Sequence, residues 1–273
     1  MKFGTLQGVL GEPLPDVFAV AKELGFDGVE LDWHQRSQAQ TGGPLGPEQR
    51  PIVRAAAHAA GIEISSVAAH FLNSGGLASA DEETQQQGLE GVWQGIELCR
   101  DLGATVLLVP FFGAATIEGD AGIERLTANL KQLEPEAEAA GVTLTIEHSL
   151  RGDQAAALLT AVGSPHVGDY WDMANCMCFG YDPLREIESL RGHLAQVHAK
   201  EYDRGDGPAG SPDDRSYRGL NTKPFGGGQV PVREVLAALR KSGYDGYVVL
   251  ETGAFGDRKE SARAALEVLR AAV

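Results

Sequence analysis

Two stretches near opposite ends of the chain decide the fold: ELGFDGVEL over residues 23–31 and KSGYDGYVVLE over residues 241–251. Each runs from a polar helix end through one glycine into a short apolar run. A glycine just past the last helical turn adopts the left-handed conformation that ends a helix. The β-branched and aromatic run beyond it reads as a strand. The same order recurs in AAGIEI (59–64), DLGATVLL (101–108) and AAGVTLT (139–145). Helices that repeatedly deliver the chain into new strands imply a parallel sheet.

Working outward from these joints, eight strand-and-helix units are expected. The strands are placed at Lys2–Val9, Gly28–Asp32, Ile62–His70, Thr105–Pro110, Val142–Glu147, Val167–Asp172, Leu194–His198 and Tyr247–Glu251. The helices are placed at Leu14–Leu24, Pro47–Ala60, Asp81–Leu102, Ile117–Ala140, Asp153–Val162, Pro183–Arg191, Val232–Lys241 and Asp257–Ala272. Eight units close most simply into one parallel (β/α)8 barrel with outer helices, a single domain over residues 1–273. No GxGxxG follows the first strand, so nothing points to an open dinucleotide-binding sheet. One connection breaks the rhythm. Residues 202–229, after the seventh strand, far exceed the usual βα loop of about 2–6 residues. This loop is expected at the active-site mouth or as a contact in a homo-oligomer.

The totals narrow the partners. The formal net charge of −15 lacks the basic excess that binds phosphate backbones, so no nucleic acid is expected. No apolar run approaches the ~20 residues that span a bilayer, and MKFGTLQGVLGEP does not read as a signal peptide. Cys99, Cys176 and Cys178 form no disulfide framework. Reduced thiols and a cytoplasmic location are expected.

In such barrels the chemistry gathers at the C-terminal strand ends. The fifth to eighth strands end in Glu147, Asp172, His198 and Glu251. Side-chain alternation turns Thr143, Thr145 and Glu147 to the interior, and Val142, Leu144 and Ile146 to the helices. The same rule turns Gln196, His198 and Lys200 inward, and sets Tyr247, Val249 and Glu251 on one face. Three carboxylates and an imidazole suit one divalent cation, with Mn2+ favoured and Mg2+, Co2+ or Zn2+ admissible. The competing expectation is a set of ion pairs with Lys200, Arg151 or Arg204.

The motifs GFDGVEL, IEH, WDMAN, VHAKEYD, PFGGGQVP and GYDGYVVLET resemble the xylose-isomerase-like TIM-barrel superfamily of sugar phosphate isomerases and epimerases along almost the whole chain. The resemblance implies a Glu-Asp-His-Glu metal site carried by Glu147, Asp172, His198 and Glu251. It also implies that Glu147 and Glu251 are the catalytic proton carriers. The expected function is isomerisation or epimerisation of a sugar, sugar phosphate or cyclitol, by proton transfer through an enediolate that the metal stabilises. A lyase of the inosose-dehydratase type is the alternative on the same site. An endonuclease IV-like hydrolase is a remote one, since that class needs further metal-binding histidines. The His198–Glu201–Arg204 spacing resembles the ketose epimerases, which implies a substrate-binding arginine at Arg204 and, with less weight, a substrate role for Glu201. Asn175, a further expected substrate contact, stands where ketose 3-epimerases carry histidine, and Gly227 where many relatives carry glutamate.

His70 and Lys200 are further expected substrate contacts, with rim packing or an ion pair to Glu251 as the alternatives. His148 has outward parity, and His34, His58, His166 and His193 read as surface residues. Trp33, Phe71, Phe111, Phe112 and Trp171 stand near strand ends as pocket walls or core. Gly226, Gly227 and Gly228, near Arg215, Arg218 and Lys223, are weighed as a phosphate cradle against a plain turn.

Overall fold

The computed structural model describes residues 1–207, 210–211 and 217–273. Arg215 therefore lies outside the described residues. The chain opens with β1 (Lys2–Leu6), α1 (Gln7–Leu10), α2 (Val17–Leu24) and β2 (Gly28–Asp32). It continues through α3 (Arg50–Ala60), β3 (Glu63–Ala68), α4 (Glu82–Leu102), β4 (Val106–Phe111) and α5 (Gly119–Ala140). Then come β5 (Thr143–His148), α6 (Gly152–Val162), β6 (Val167–Asp172), α7 (Met173–Cys178) and α8 (Pro183–Ser189). The last elements are β7 (Leu194–Ala199), α9 (Val232–Ser242), β8 (Tyr247–Leu250) and α10 (Arg258–Ala271).

The eight strands pair in chain order, all parallel, and β1 closes on β8. The chain is thus a (β/α)8 barrel, as the repeated joints implied. The glycines at those joints cap their helices with positive φ: Gly25, Gly61, Gly103, Gly141 and Gly243.

Two elements depart from expectation. The first strand ends at Leu6 rather than Val9, and residues 7–10 form a helical turn. Two local captures account for it: the Gly8 N–H donates to Asp32 Oδ2 at 2.7 Å, and Gly11 closes the turn at φ 71°. The second is α7. It occupies a single turn and a half after β6, too short for a helical period to show in sequence. Asp172 caps it, its Oδ1 accepting the N–H groups of Ala174 at 2.7 Å and Asn175 at 2.8 Å.

The lumen is polar in its upper half. Glu30 on β2 accepts from Ser66 Oγ at 2.5 Å and from the Tyr170 hydroxyl at 2.7 Å. Gln196 Nε2 donates to Ser66 Oγ at 2.7 Å and to the Tyr170 oxygen at 2.9 Å. These bonds join β2 and β3 to β6 and β7 across the barrel, which shows Gln196 facing inward as the alternation implied. Every member is buried. Losing one partner would strand another at a cost of about 1–3 kcal/mol.

The lower end is closed by Tyr247. Its hydroxyl donates to Glu63 Oε2 at 2.9 Å, and Lys2 Nζ bonds Glu63 at 2.6 Å while lying 5.4 Å over the tyrosine ring. A Cβ at Gly28 would approach that ring within 2.8 Å, so the ring's path across the floor requires glycine there. Among the described residues, no helix is long and apolar enough to cross a membrane.

Candidate metal centre and active site

Glu147, Asp172 and His198 stand on the last turns of β5, β6 and β7, and Glu251 follows the last residue of β8. The Glu251 N–H still donates to the Ala199 carbonyl at 2.9 Å, so the ladder fixes its backbone. One ligand atom from each of the four lies within 4.8 Å of the others. His198 Nδ1 is 3.5 Å from Glu147 Oε1 and 3.1 Å from Glu251 Oε2. The strand ends therefore bring the whole expected quartet together. Glu251, with 23% of its side chain exposed, is the member open to the mouth.

His198 Nε2 faces away from the quartet and meets Glu30 Oε1 at 2.7 Å. That pairing turns the ring so that Nδ1 faces the centre, the arrangement by which an outlying carboxylate orients a metal-binding imidazole. Glu30 is a functional residue that the sequence reading passed over. Its inward parity with Gly28 and Asp32 was available as a signal. Its partner, on β7, was not.

Asn175 on α7 donates from Nδ2 to Glu147 Oε1 at 3.0 Å. Lys200 Nζ lies 3.0 Å from Asp172 Oδ2 and 2.7 Å from Glu251 Oε2, so the ion pair to Glu251 that stood as the alternative to a substrate contact is present.

The donor set fits a divalent cation. Four carboxylates, on Glu30, Glu147, Asp172 and Glu251, surround the Lys200 ammonium and the His198 ring, so the carboxylates outnumber their cationic partners. Asp172 Oδ2 and Glu251 Oε2 are buried and accept no well-aligned hydrogen bond, although Lys200 is close to both. Buried charge in this state is costly unless it is compensated.

The two glutamates differ in acidity. Burial pushes the Glu147 carboxyl up, and His198 only partly opposes it. Burial also opposes charge on Glu251, yet Lys200 and His198 hold that carboxyl well below the usual range. For His198, burial favours the neutral ring, but Glu251 and Glu30 outweigh it and raise its pKa well above the ordinary value. Burial likewise acts against the Lys200 charge, and Asp172 and Glu251 overcome it.

The remaining expected residues disperse. Glu201 is fully buried, and its carboxylate is committed to the backbone of the mouth loop. Oε1 accepts from the N–H of Tyr202 at 2.9 Å and of Val230 at 3.2 Å, and Oε2 from Gly226 at 2.7 Å. The Glu201 carboxylate thereby anchors the loop that follows β7. The same bonds revise the phosphate cradle: the Gly226 N–H that would have served an anion already holds the chain's own carboxylate. Lys223 lies 4.0 Å from Asp203.

Arg204 lines a groove of the mouth loop with Met177, Tyr181, Tyr202 and Gln229. His70 stands at the end of β3, its Nε2 3.2 Å from Asp32 Oδ1. His148 is buried behind the rim, as its outward parity allows, and its Nε2 meets Asp169 Oδ2 at 2.8 Å. Trp33 and Phe111 belong to the core, and Phe112 packs with Phe179 and Tyr217.

Comparison with known proteins follows the same lines. The family profile described as xylose isomerase-like TIM barrel matches residues 18–272. The 2-epi-5-epi-valiolone 7-phosphate 2-epimerase of Actinoplanes sp. is 30% identical over 230 residues, covering 82% of this chain and 76% of the relative. The L-ribulose-5-phosphate 3-epimerase UlaE of Salmonella heidelberg is 26% identical over 238 residues, covering 85% and 79%. Among solved structures, 3-keto-D-glucoside 4-epimerase YcjR from E. coli superposes with a TM-score of 0.77 at 22% identity, over 99% of each chain.

Proposed function

Because the chain belongs to the xylose isomerase-like TIM barrel family, we propose that it is a divalent-metal-dependent epimerase or isomerase of a ketose, ketose phosphate or cyclitol. One observation carries this reading. Two glutamates, Glu147 and Glu251, enter one buried centre from the outer two of four adjacent strands. The names of the relatives agree, since both curated proteins above are sugar-phosphate or cyclitol-phosphate epimerases.

Glu147, Asp172, His198 and Glu251 would hold the ion. When bound, it supplies Lewis-acid stabilisation of negative charge on substrate oxygens. An oxygen-rich set with one imidazole favours Mn2+ over softer ions. The proton chemistry belongs to the chain. One glutamate takes the proton from the hydroxyl-bearing carbon beside the carbonyl, and the C–H electron pair moves toward that carbonyl. The other glutamate returns a proton to the opposite face, giving the epimer, or to the neighbouring carbon, giving the isomer. No electrons are gained or lost overall. General acid–base help of this kind is worth about 10²–10⁴-fold for each group.

Asn175 fixes the Glu147 carboxylate, and Lys200 fixes Glu251 while remaining close to the substrate oxygens. His70 is assigned a place across the mouth from the centre. Arg204 keeps a substrate role on its spacing from His198 alone. Cys99, Cys176 and Cys178 are buried and form no disulfide among the described residues, which suits a reducing cytoplasm.

The test joins two readouts. Bound metal is measured after dialysis in the native protein and in Glu251→Gln. Deuterium uptake from D2O is followed into ketoses, ketose phosphates and inososes. Near-stoichiometric metal, with label entering one carbon and vanishing in Glu251→Gln, is expected. Absence of metal even after Mn2+ addition would overturn the reading. Water loss from a labelled inosose would shift it to the lyase.

A further inference from the structure

A second group of ligating side chains stands on the same rim: Asp32 at the end of β2, His34 two residues on, and His70 at the end of β3. In a closed barrel of eight strands, β2 and β3 lie opposite β6 and β7, so this group faces Asp172 and His198 across the mouth. The proton chemistry above makes no use of Asp32 or His34. We propose that Asp32, His34 and His70 form a separate site for one borderline transition-metal dication, Zn2+ by preference.

The geometry is the argument. Both imidazoles aim Nε2 at the same carboxylate oxygen: Asp32 Oδ1 is 3.2 Å from His70 Nε2 and 3.5 Å from His34 Nε2. Tetrahedral Zn2+ with Zn–N and Zn–O bonds near 2.0–2.2 Å sets neighbouring ligand atoms roughly 3.3–3.5 Å apart. Two edges of that tetrahedron therefore already exist, and all three donor atoms lie within 4.8 Å of one another. The rings stack at 4.7 Å with 17° between their planes, and each turns its Nε2 edge to Asp32.

The supports are built as well. The other oxygen of Asp32 is held by the Gly8 N–H at 2.7 Å, leaving Oδ1 for the site. The His34 and Gln35 N–H groups both donate to Gln38 Oε1, at 2.7 and 2.8 Å, which stiffens the segment carrying His34. Trp33 between them is fully buried against Phe71. Ordered partners behind the ligands are what keep a metal site in shape.

The two rim sites differ in donor chemistry. The quartet offers three carboxylates and one imidazole, whereas this triad offers two imidazoles and one carboxylate. Nitrogen-rich sets prefer Zn2+ or Co2+ to Mg2+ or Mn2+. His34, with 61% of its side chain exposed, leaves the remaining coordination position open to the mouth. This inference goes beyond the proposed activity and does not depend on it.

The test uses full-length protein stripped of metal by chelator dialysis and titrated separately with Zn2+ and Co2+. Two equivalents of Zn2+ are expected in the native protein and one in His34→Ala, whose exposed position keeps the fold out of question. Asp172→Asn should instead lose the quartet's equivalent and keep the triad's. With Co2+, the visible absorption of a four-coordinate nitrogen-rich site should vanish in His34→Ala and persist in Asp172→Asn. Native protein that binds one equivalent or none, with Co2+ absorption indifferent to His34→Ala and Asp32→Asn, would overturn the site.

Discussion

The Glu30–His198 pair decides more than its distance suggests. Glu30 lies 168 residues before His198 in the chain, yet it fixes which imidazole nitrogen faces the centre. Glu30→Gln keeps the volume and removes the negative acceptor. It is expected to weaken metal binding or activity by about 10–100-fold, as loss of an orienting partner usually does. Metal affinity by titration and a KM-against-kcat split would check it, since mere packing loss would lower stability without shifting affinity. At this scale the sequence was half legible. Glu147, Asp172, His198 and Glu251 could be found because each closes a strand, and strand ends in a barrel share one rim. Glu30 is two positions short of the end of β2, and only the closed barrel brings it to His198. Glu201 misled for the converse reason. Spacing from His198 gave it a place on the rim, but not the backbone N–H groups that claim its oxygens.

Elements were more legible than their edges. Glycine-capped helices feeding apolar runs mark five of the joints between units, because cap and alternation are local chemistry. The short helices α1 and α7 escaped, since each depends on a tertiary or capping contact rather than a period. The mouth loop offers a test at this scale. A Cβ at Gly228 would lie 2.5 Å from Glu201 Oε1 and 2.7 Å from the Tyr202 carbonyl. Gly228→Ala is therefore expected to cost about 1–3 kcal/mol through overpacking and loss of the Glu201 hydrogen bonds. It should also speed proteolysis within residues 202–229. Thermal melts and limited digestion would read both. Equal stability and unchanged digestion would show that the anchor carries little of the loop's order.

For the whole molecule, an ion held by the quartet would be linked to the fold. A ligand held at 100 times its Kd stabilises the native state by about 2.7 kcal/mol. In a domain of this size that is a Tm shift of roughly 5–10 °C. Chelation should lower Tm by that order, and Mn2+ should restore it. The floor of the barrel gives a separate pH signature. Hydrogen bonding from Lys2 holds the Glu63 carboxyl below its ordinary value, against partial burial. Its contribution is therefore full above the unfolded carboxylate pKa and fades as pH falls through the folded value. The pair is half exposed, so solvent screening limits it to about 1 kcal/mol or less. Glu63→Gln should be less stable by that margin at pH 7 and no different near pH 3, by denaturant melts.

The same floor governs traffic. Tyr247, Lys2 and Glu63 shut the barrel below, and the Glu30–Ser66–Tyr170–Gln196 mesh fills it above them. An ion held by the quartet and a sugar substrate would then share a single door and queue for it. A bound sugar stands between the ion and the solution, so turnover should itself guard the ion. Chelator stripping is expected to slow as substrate concentration rises, with the ion escaping only in the interval between product departure and the next arrival.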